Sequence, residues 1–289
     1  MSIAPKAVMN LYIDHLKIGY RQVYGQTNPQ YADLIGWVAQ TVVEQIANSN
    51  AAYHDVEHTL LVALAGQAIL QGKQKRDGNV SSRDWLNLMI SLLCHDIGYV
   101  QGACDQDQPE QRICATGKEG ETIQLPLHST DALLTQYHVD RSQVFVREAF
   151  AHCPEIEIEA VQHNIELTRF PVPNDEAHQD TINYPGLVRA ADLIGQLADP
   201  HYLDKLPALF QEFAENGTNE VLGYKHPQDL RASYPGFFWN IVYSYIEPSL
   251  VYLELTQAGK QILTNLFANV FIVERELQAA KAGSLVTMG

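Results

Sequence analysis

The chain has 289 residues, 46% of them hydrophobic, and a formal net charge of −15. That length allows a large buried core in one domain. The charge speaks against a nucleic-acid polymer as partner, because phosphate backbones require clustered Lys and Arg and only 19 are present. No stretch of 18 or more apolar residues occurs, and residues 1–6 lack a secretion-signal pattern. We therefore expect a cytoplasmic protein with no membrane partner.

Helical periodicity dominates the chain, and alternating strand patterns are scarce. Prolines and an Asn-Gly pair mark several helix starts and ends. Ten segments are predicted as helices: 6–24, 28–48, 54–75, 82–97, 128–151, 155–168, 181–197, 202–215, 235–257 and 259–282. The predicted fold class is all-α.

Two histidines, His54 and His58, open the third predicted helix in the sequence Tyr-His-Asp-Val-Glu-His. Residues four apart lie on the same helix face, about 5–6 Å from each other. The rest of this helix is rich in leucine and alanine, which indicates a buried element. Both imidazoles can therefore point into one interior pocket.

Two further apolar segments end in residues of the same chemical kind. His95 and Asp96 follow the apolar run 85–94, and Gly98 then lets the chain turn. Asp192 follows the apolar segment 187–191. A buried carboxylate requires a cation or hydrogen-bond donors, because an isolated buried charge is very costly.

Each of these sequence features, taken alone, has an explanation that does not involve a metal. A single histidine on an apolar helix is more often a core residue than a ligand, and His-Asp pairs occur by chance. The joint pattern favours a metal site, because three apolar segments each supply ligand-type residues. Histidine and aspartate together suit Mn, Fe, Zn or Co, and Mg suits a water-rich second position.

In these residues the chain resembles the HD-domain metal-dependent phosphohydrolase superfamily over about residues 50–250. It is most similar to the cyclic-nucleotide phosphodiesterase branch, whose first motif reads Tyr-His-Asn-x-x-His. Here Asp55 replaces the Asn. The resemblance implies an HD-domain helical bundle with additional N- and C-terminal helices. We expect one domain over 1–289, with a core at about 50–200 and helices of 202–282 packed on it.

The resemblance also implies a role for each motif residue. Four residues would hold the first of one or two divalent ions: His58, His95, Asp96 and Asp192. Asp96 is placed to bridge a second ion and counts as catalytic, and His54 corresponds to the general acid. The family pairs that acid with a carboxylate for which the sequence offers no clear candidate. Tyr53, at the start of the motif, is a candidate for substrate binding.

The implied activity is hydrolysis of a small phosphoester, a nucleotide or cyclic nucleotide, by metal-activated water. Such a reaction needs charge neutralisation, a hydroxide near neutral pH and an acid for the leaving group. Two alternatives are a di-iron oxygenase on an HD fold and a non-catalytic metal- or nucleotide-binding sensor. His54 argues against the sensor, which needs no proton donor.

A second metal position would need further ligands. Binuclear HD proteins of the cyclic-di-GMP phosphodiesterase type carry two additional histidines at comparable places, so His128 and His163 are predicted ligands, with His152 in reserve. The alternative for each is an ordinary surface histidine. The remaining histidines are predicted to lie on the surface: His15, His138, His178, His201 and His226.

The chain departs from the family after the His-Asp pair. The family continues Val-Asp-His-Pro-Gly, whereas this chain has Ile-Gly-Tyr, with Tyr99 near the place of the missing histidine. Residues 102–125 are predicted to form a loop that could lie over the site. These differences leave the substrate open.

A weaker match lies before Pro248. Cyclic-nucleotide phosphodiesterases carry a Gln and a Phe that grip the purine, and the same offsets here fall on Asn240 and Tyr243. These two residues are candidates for base binding. The alternative is that this aromatic segment belongs to the core.

Overall fold

Twelve α-helices build the part of the chain that the computed structural model describes, residues 6–286. The all-α prediction is confirmed. The ends of the predicted domain, residues 1–5 and 287–289, lie outside the described residues. The helices are α1 Lys6–Tyr24, α2 Gln30–Ile46, α3 Val56–Asp77, α4 Ser82–Cys94, α5 His138–Ala149, α6 Ile158–Glu166, α7 Tyr184–Leu197, α8 Tyr202–Glu215, α9 Thr218–Leu222, α10 Pro227–Phe237, α11 Tyr243–Leu253 and α12 Gln257–Val286.

Helix α3 runs through the centre of the bundle. It packs against α1, α4, α7, α11 and α12, and apolar side chains are buried on several of its sides. A helix that is apolar all round belongs in a core. Its contact with α7 is close: a Cβ on Gly195 would lie 2.6 Å from the Val62 Cα. The face of α3 that carries His58 therefore lies in the interior.

Two predicted helices are interrupted. The segment predicted as 128–151 runs as a 3₁₀ stretch, Asp131–Gln136, before α5 begins. The segment predicted as 235–257 contains a π-helical stretch, Phe238–Val242, between α10 and α11. Helix α9 and most of α10 lie where no helix was predicted. A period of 3.6 residues does not reveal 3₁₀ or π turns, which are local changes of hydrogen bonding.

The segment 102–125 is an ordered hairpin rather than an open loop. It contains two short antiparallel strands, β1 Ile113–Ala115 and β2 Thr122–Gln124. Arg141 of α5 holds it to the chain that follows Asp96: the guanidinium donates to the carbonyls of Gly98 and Ala115 and to both oxygens of Asp107. The hairpin is thereby fixed beside the residues that follow the His-Asp pair.

Between residues 6 and 286, no helix is both long and apolar enough to cross a lipid bilayer.

Candidate metal centre

Three helices bring the four predicted ligands of the first ion together. His58 lies in the first turn of α3, His95 and Asp96 follow the last residue of α4, and Asp192 lies in α7. Asp96 Oδ2 is 3.1 Å from His58 Nε2 and 3.2 Å from His95 Nε2. Asp192 Oδ1 is 3.6 and 3.4 Å from the same two nitrogens. One ligand atom each of His58, His95 and Asp192 lie within 4.8 Å of one another.

The hydrogen bonding of His95 leaves one nitrogen free for a cation. Its Nδ1 lies 2.8 Å from the Leu92 carbonyl oxygen, which can only accept, so Nδ1 carries the hydrogen. Histidine ligands of metals commonly donate their other N–H to a backbone carbonyl in this way. The His95 Nε2 and Asp96 Oδ2 atoms are both buried, and although they lie 3.2 Å apart, neither makes a hydrogen bond of good geometry. Buried atoms of this kind normally have partners, and a divalent ion would satisfy both.

The electrostatic field at this point favours positive charge. Burial opposes the charged form of His95, but the carboxylates of Asp96 and Asp192 outweigh it and raise the pKa of His95 well above its usual value. A field that attracts a proton to this place also attracts a metal cation. The donor set, two imidazole nitrogens and two carboxylates, is of the kind that binds transition metals.

Asp55 fixes the position of His58. It has an extended backbone at the N-cap of α3, and its Oδ1 accepts the His58 backbone N–H at 3.0 Å. Asn and Asp are about equally good N-cap residues. Asp55 can therefore cap the helix as well as the Asn of the similar phosphodiesterase motif would.

His54 is held by a buried carboxylate, Glu212 of α8. The Glu212 Oε2 atom lies 2.6 Å from His54 Nδ1, and Oε1 accepts the backbone N–H groups of Tyr53 and His54 at 2.6 and 3.2 Å. Burial alone would lower the pKa of His54, but Glu212, with smaller contributions from Asp96 and Asp192, raises it to about 9. The carboxylates around His54 therefore favour its protonated form.

Glu212 is a residue of the candidate site that the sequence analysis missed. It is the carboxylate beside His54, for which the sequence had offered no clear candidate. The sequence contains an indication that Glu212 is buried. It follows Leu206 and Leu209 at intervals of three residues, on the buried face of α8. A carboxylate on the apolar face of a helix needs a partner.

His138 also lies at this centre, and its prediction as a surface residue is wrong. Its side chain is only 13% exposed, and its Nε2 is 3.8 Å from Asp96 Oδ1. The Nδ1 atom lies 2.5 Å from the Thr135 carbonyl oxygen, which leaves Nε2 facing Asp96. The turn after Asp96 brings His138 close, because a Cβ on Gly98 would lie 2.0 Å from the His138 carbonyl oxygen.

Tyr99 is stacked between the two imidazoles that flank the centre. Its ring lies 4.4 Å from that of His54 and 4.7 Å from that of His138, measured between centroids. Burial raises the pKa of Tyr99 well above its usual value, and the nearby carboxylates add to the effect. Tyr99 therefore remains a neutral phenol.

The other predicted site residues lie elsewhere. His128, His163 and the reserve His152 are exposed and do not belong to the His58–His95–Asp192 group, as far as the described residues show. Asn240 is exposed, and Tyr243 packs against the rings of Phe238 and Trp239.

Tyr53 lies beside the centre. It is buried, and its ring is 5.8 Å from that of His58. Because its backbone N–H also donates to Glu212, Tyr53 helps to hold the carboxylate that partners His54.

Fold and site together define an all-α protein with a buried cluster of histidines and aspartates able to hold a metal ion. The sequence model of the Npun_R2479-like family matches residues 3–276. The chain therefore belongs to the Npun_R2479-like family. A comparison with curated proteins finds no match.

Proposed function

We propose that this protein is a metal-dependent phosphohydrolase of the HD type that cleaves a small phosphoester, a nucleotide or cyclic nucleotide. One observation carries the proposal: a histidine held by a buried carboxylate borders the candidate metal ligands. His54, held by Glu212, has its ring 5.6 Å from that of the ligand His58. An acid beside a metal site is the arrangement that phosphoester hydrolysis needs.

Four residues would hold the first ion: His58, His95, Asp96 and Asp192. The chemistry that a bound divalent ion supplies is activation of water and neutralisation of phosphoryl oxygens. Mn, Fe, Zn or Co fit this donor set. Among residues 6–282, the ion pairs of Asp96, Asp192 and Glu212 involve histidines only. Positive charge for a phosphate would therefore come from the ions and from His54.

A second ion would share Asp96. The two oxygens of this carboxylate face different groups, Oδ2 toward His58 and His95, and Oδ1 toward His138. His138 is therefore a better candidate for the second position than the exposed His128 and His163, and Mg is a further candidate ion at that position.

The direction of substrate entry follows from exposure. The side chains of His58, His95 and Asp96 are at most 6% exposed, whereas those of His54 and Asp192 are 19% and 18% exposed. A phosphoester would approach from the side of His54 and Asp192. Since Glu212 engages the Nδ1 of His54, the Nε2–H is the proton available to the leaving oxygen.

The proposal is tested by assaying bis-p-nitrophenyl phosphate, p-nitrophenyl phosphate, cyclic nucleotides and nucleoside monophosphates with Mn²⁺. We expect turnover of at least one phosphoester, and His54→Ala should lower kcat by about 10²–10⁴-fold, the usual contribution of a general acid. The control is His201→Ala, because the side chain of His201 is 68% exposed. Hydrolysis unchanged in His54→Ala would contradict the general-acid role.

The pH dependence gives a second measurement. The acid form of His54 is present below its pKa and disappears as pH rises through about 9, so kcat should fall above that pH. Glu212→Gln removes the main partner that raises this pKa, and the alkaline limb should therefore move to lower pH. Iron at two per chain with oxygen-dependent activity, and no hydrolysis, would instead support an oxygenase.

A further inference from the structure

A stack of three rings borders the candidate metal centre. The ring of Tyr99 lies at 15° to that of His54 and at 19° to that of His138, so all three are nearly parallel. The outer rings each reach a metal ligand: His54 contacts the His58 ring, and the His138 Nε2 faces Asp96. Tyr99 therefore touches both imidazoles on the flank of the centre.

The Tyr99 ring is itself fixed from behind. Its side chain is 2% exposed and packs with three buried residues, Cys114, Leu125 and Leu134. Cys114 belongs to β1, and Leu125 follows β2 directly. Because Arg141 ties this hairpin to the turn after Asp96, the phenol ring rests on a rigid support.

Neither imidazole is fixed by its hydrogen bond alone. The structure gives His54 a bond from Nδ1 to Glu212 and gives His138 a bond from Nδ1 to the Thr135 carbonyl. A ring tied at one atom can still tilt, because the χ2 torsion of histidine is broad. Contact with a flat, immobile ring removes this freedom.

We propose that Tyr99 is a positioning residue, whose ring sets the planes of His54 and His138 and so directs the His54 Nε2–H toward the reacting phosphoester and the His138 Nε2 toward Asp96. The inference rests on the proposed function. The stack thus favours one orientation of each imidazole ring.

The test compares two substitutions of Tyr99. Tyr99→Phe keeps the ring, and we expect kcat within about 3-fold of wild type. Tyr99→Leu removes the flat surface, and kcat should fall by about 10- to 100-fold with little change in KM, since a misplacement of about 1 Å costs about 10²-fold. The control is Tyr137→Leu, because Tyr137 packs against the same apolar cluster and should leave kcat unchanged.

A second readout does not depend on turnover. In NMR spectra of the metal-free protein, the carbon-bound ring protons of His54 and His138 should be shifted upfield by the Tyr99 ring current. Tyr99→Leu should remove this shift for both residues, whereas Tyr99→Phe and Tyr137→Leu should retain it. If wild type hydrolyses none of the phosphoesters, the proposed function fails, and the NMR comparison still tests the stack.

Three outcomes would overturn the inference: wild-type kcat in Tyr99→Leu, a raised KM with unchanged kcat, or unchanged histidine shifts. A raised KM alone would mean that Tyr99 binds substrate. Should Tyr99→Leu fail to fold, Tyr99→Met fills more of the ring's space without a flat face, and the same two measurements decide.

Discussion

Two buried charged groups lie on either side of the turn that follows Asp96, and they differ in how completely they are hydrogen-bonded. On one side, the guanidinium of Arg141 donates to the carboxylate of Asp107 and to the carbonyls of Gly98, Val100 and Ala115. On the other side, the His95 Nε2 and Asp96 Oδ2 have no hydrogen-bond partner. Both groups are deeply buried, so burial does not distinguish a structural charge from a functional one. The two groups differ in hydrogen bonding and in the chemistry of the unsatisfied atoms, an imidazole nitrogen beside a carboxylate oxygen.

Helix α5 serves both groups. Arg141 and His138 are three residues apart on it, and Ser142 links them to the turn. The Ser142 hydroxyl donates to the His95 carbonyl and accepts the Gly98 N–H. The hydrogen-bonded cluster around Arg141 thus holds the backbone of His95 and Asp96 in place. This is expected where a binding site needs rigid support.

The sharpest test of the comparison is metal binding. Loaded with Mn²⁺ or Zn²⁺ and then dialysed, wild type should retain one or two ions per chain, measured by elemental mass spectrometry. His95→Ala should lose them, and hydrolysis should fall by about 10³-fold, because a catalytic ion contributes several kcal/mol. Wild type that retains no ion after loading would refute the metal centre.

The same measurement separates the candidates for the second position. His138→Ala should reduce two ions to one, because its Nε2 is the imidazole nitrogen opposite Asp96 Oδ1. His163→Ala is the matched control, since His163 is exposed on α6. Loss of an ion in His163→Ala, with none in His138→Ala, would instead support the ligands predicted from sequence.

Substitution of the hydrogen-bonded Arg141 should lower the stability of the protein. Arg141→Met removes the guanidinium that donates to the buried Asp107 carboxylate and to three carbonyls, and breaking a buried pair costs about 3–5 kcal/mol. Chemical denaturation measures the free energy of unfolding. The control is Arg83→Met, whose pair with Glu157 has both side chains 48% exposed, so about 1 kcal/mol or less is expected. Equal losses of stability in the two variants would show that the Arg141–Asp107 ion pair contributes no more than an exposed ion pair does.

The fold was largely predictable because it depends on local pattern. Apolar periodicity located α1 and α8 to the residue and the centres of most other helices. It failed at Phe238–Val242 and Asp131–Gln136, where the hydrogen-bond pattern changes although the chain remains helical. It also missed the hairpin, because three-residue strands are too short to show alternation.

The site was predictable where its residues form a motif or, for Asp192, directly follow an apolar segment. His54, His58, His95 and Asp96 lie in two short motifs. Glu212 and His138 reach the centre through tertiary packing, from α8 and from the start of α5. The prediction of His138 as a surface residue failed because nothing in its local sequence indicates that a glycine turn lies against it.

The smallest expected effect concerns the cap of α3, where the chain differs from the phosphodiesterase motif. Asp55→Asn should change the free energy of unfolding by less than about 0.5 kcal/mol, since both side chains can accept the His58 N–H. Asp55→Ala removes the acceptor and should cost about 1 kcal/mol. Ser81→Ala, which removes the cap of α4, is the control with a similar cost. Because Asp55 also fixes the turn that carries His58, only Asp55→Ala should weaken metal binding as well. Equal metal affinity in Asp55→Ala and Ser81→Ala would show that the cap stabilises the helix without positioning the ligand.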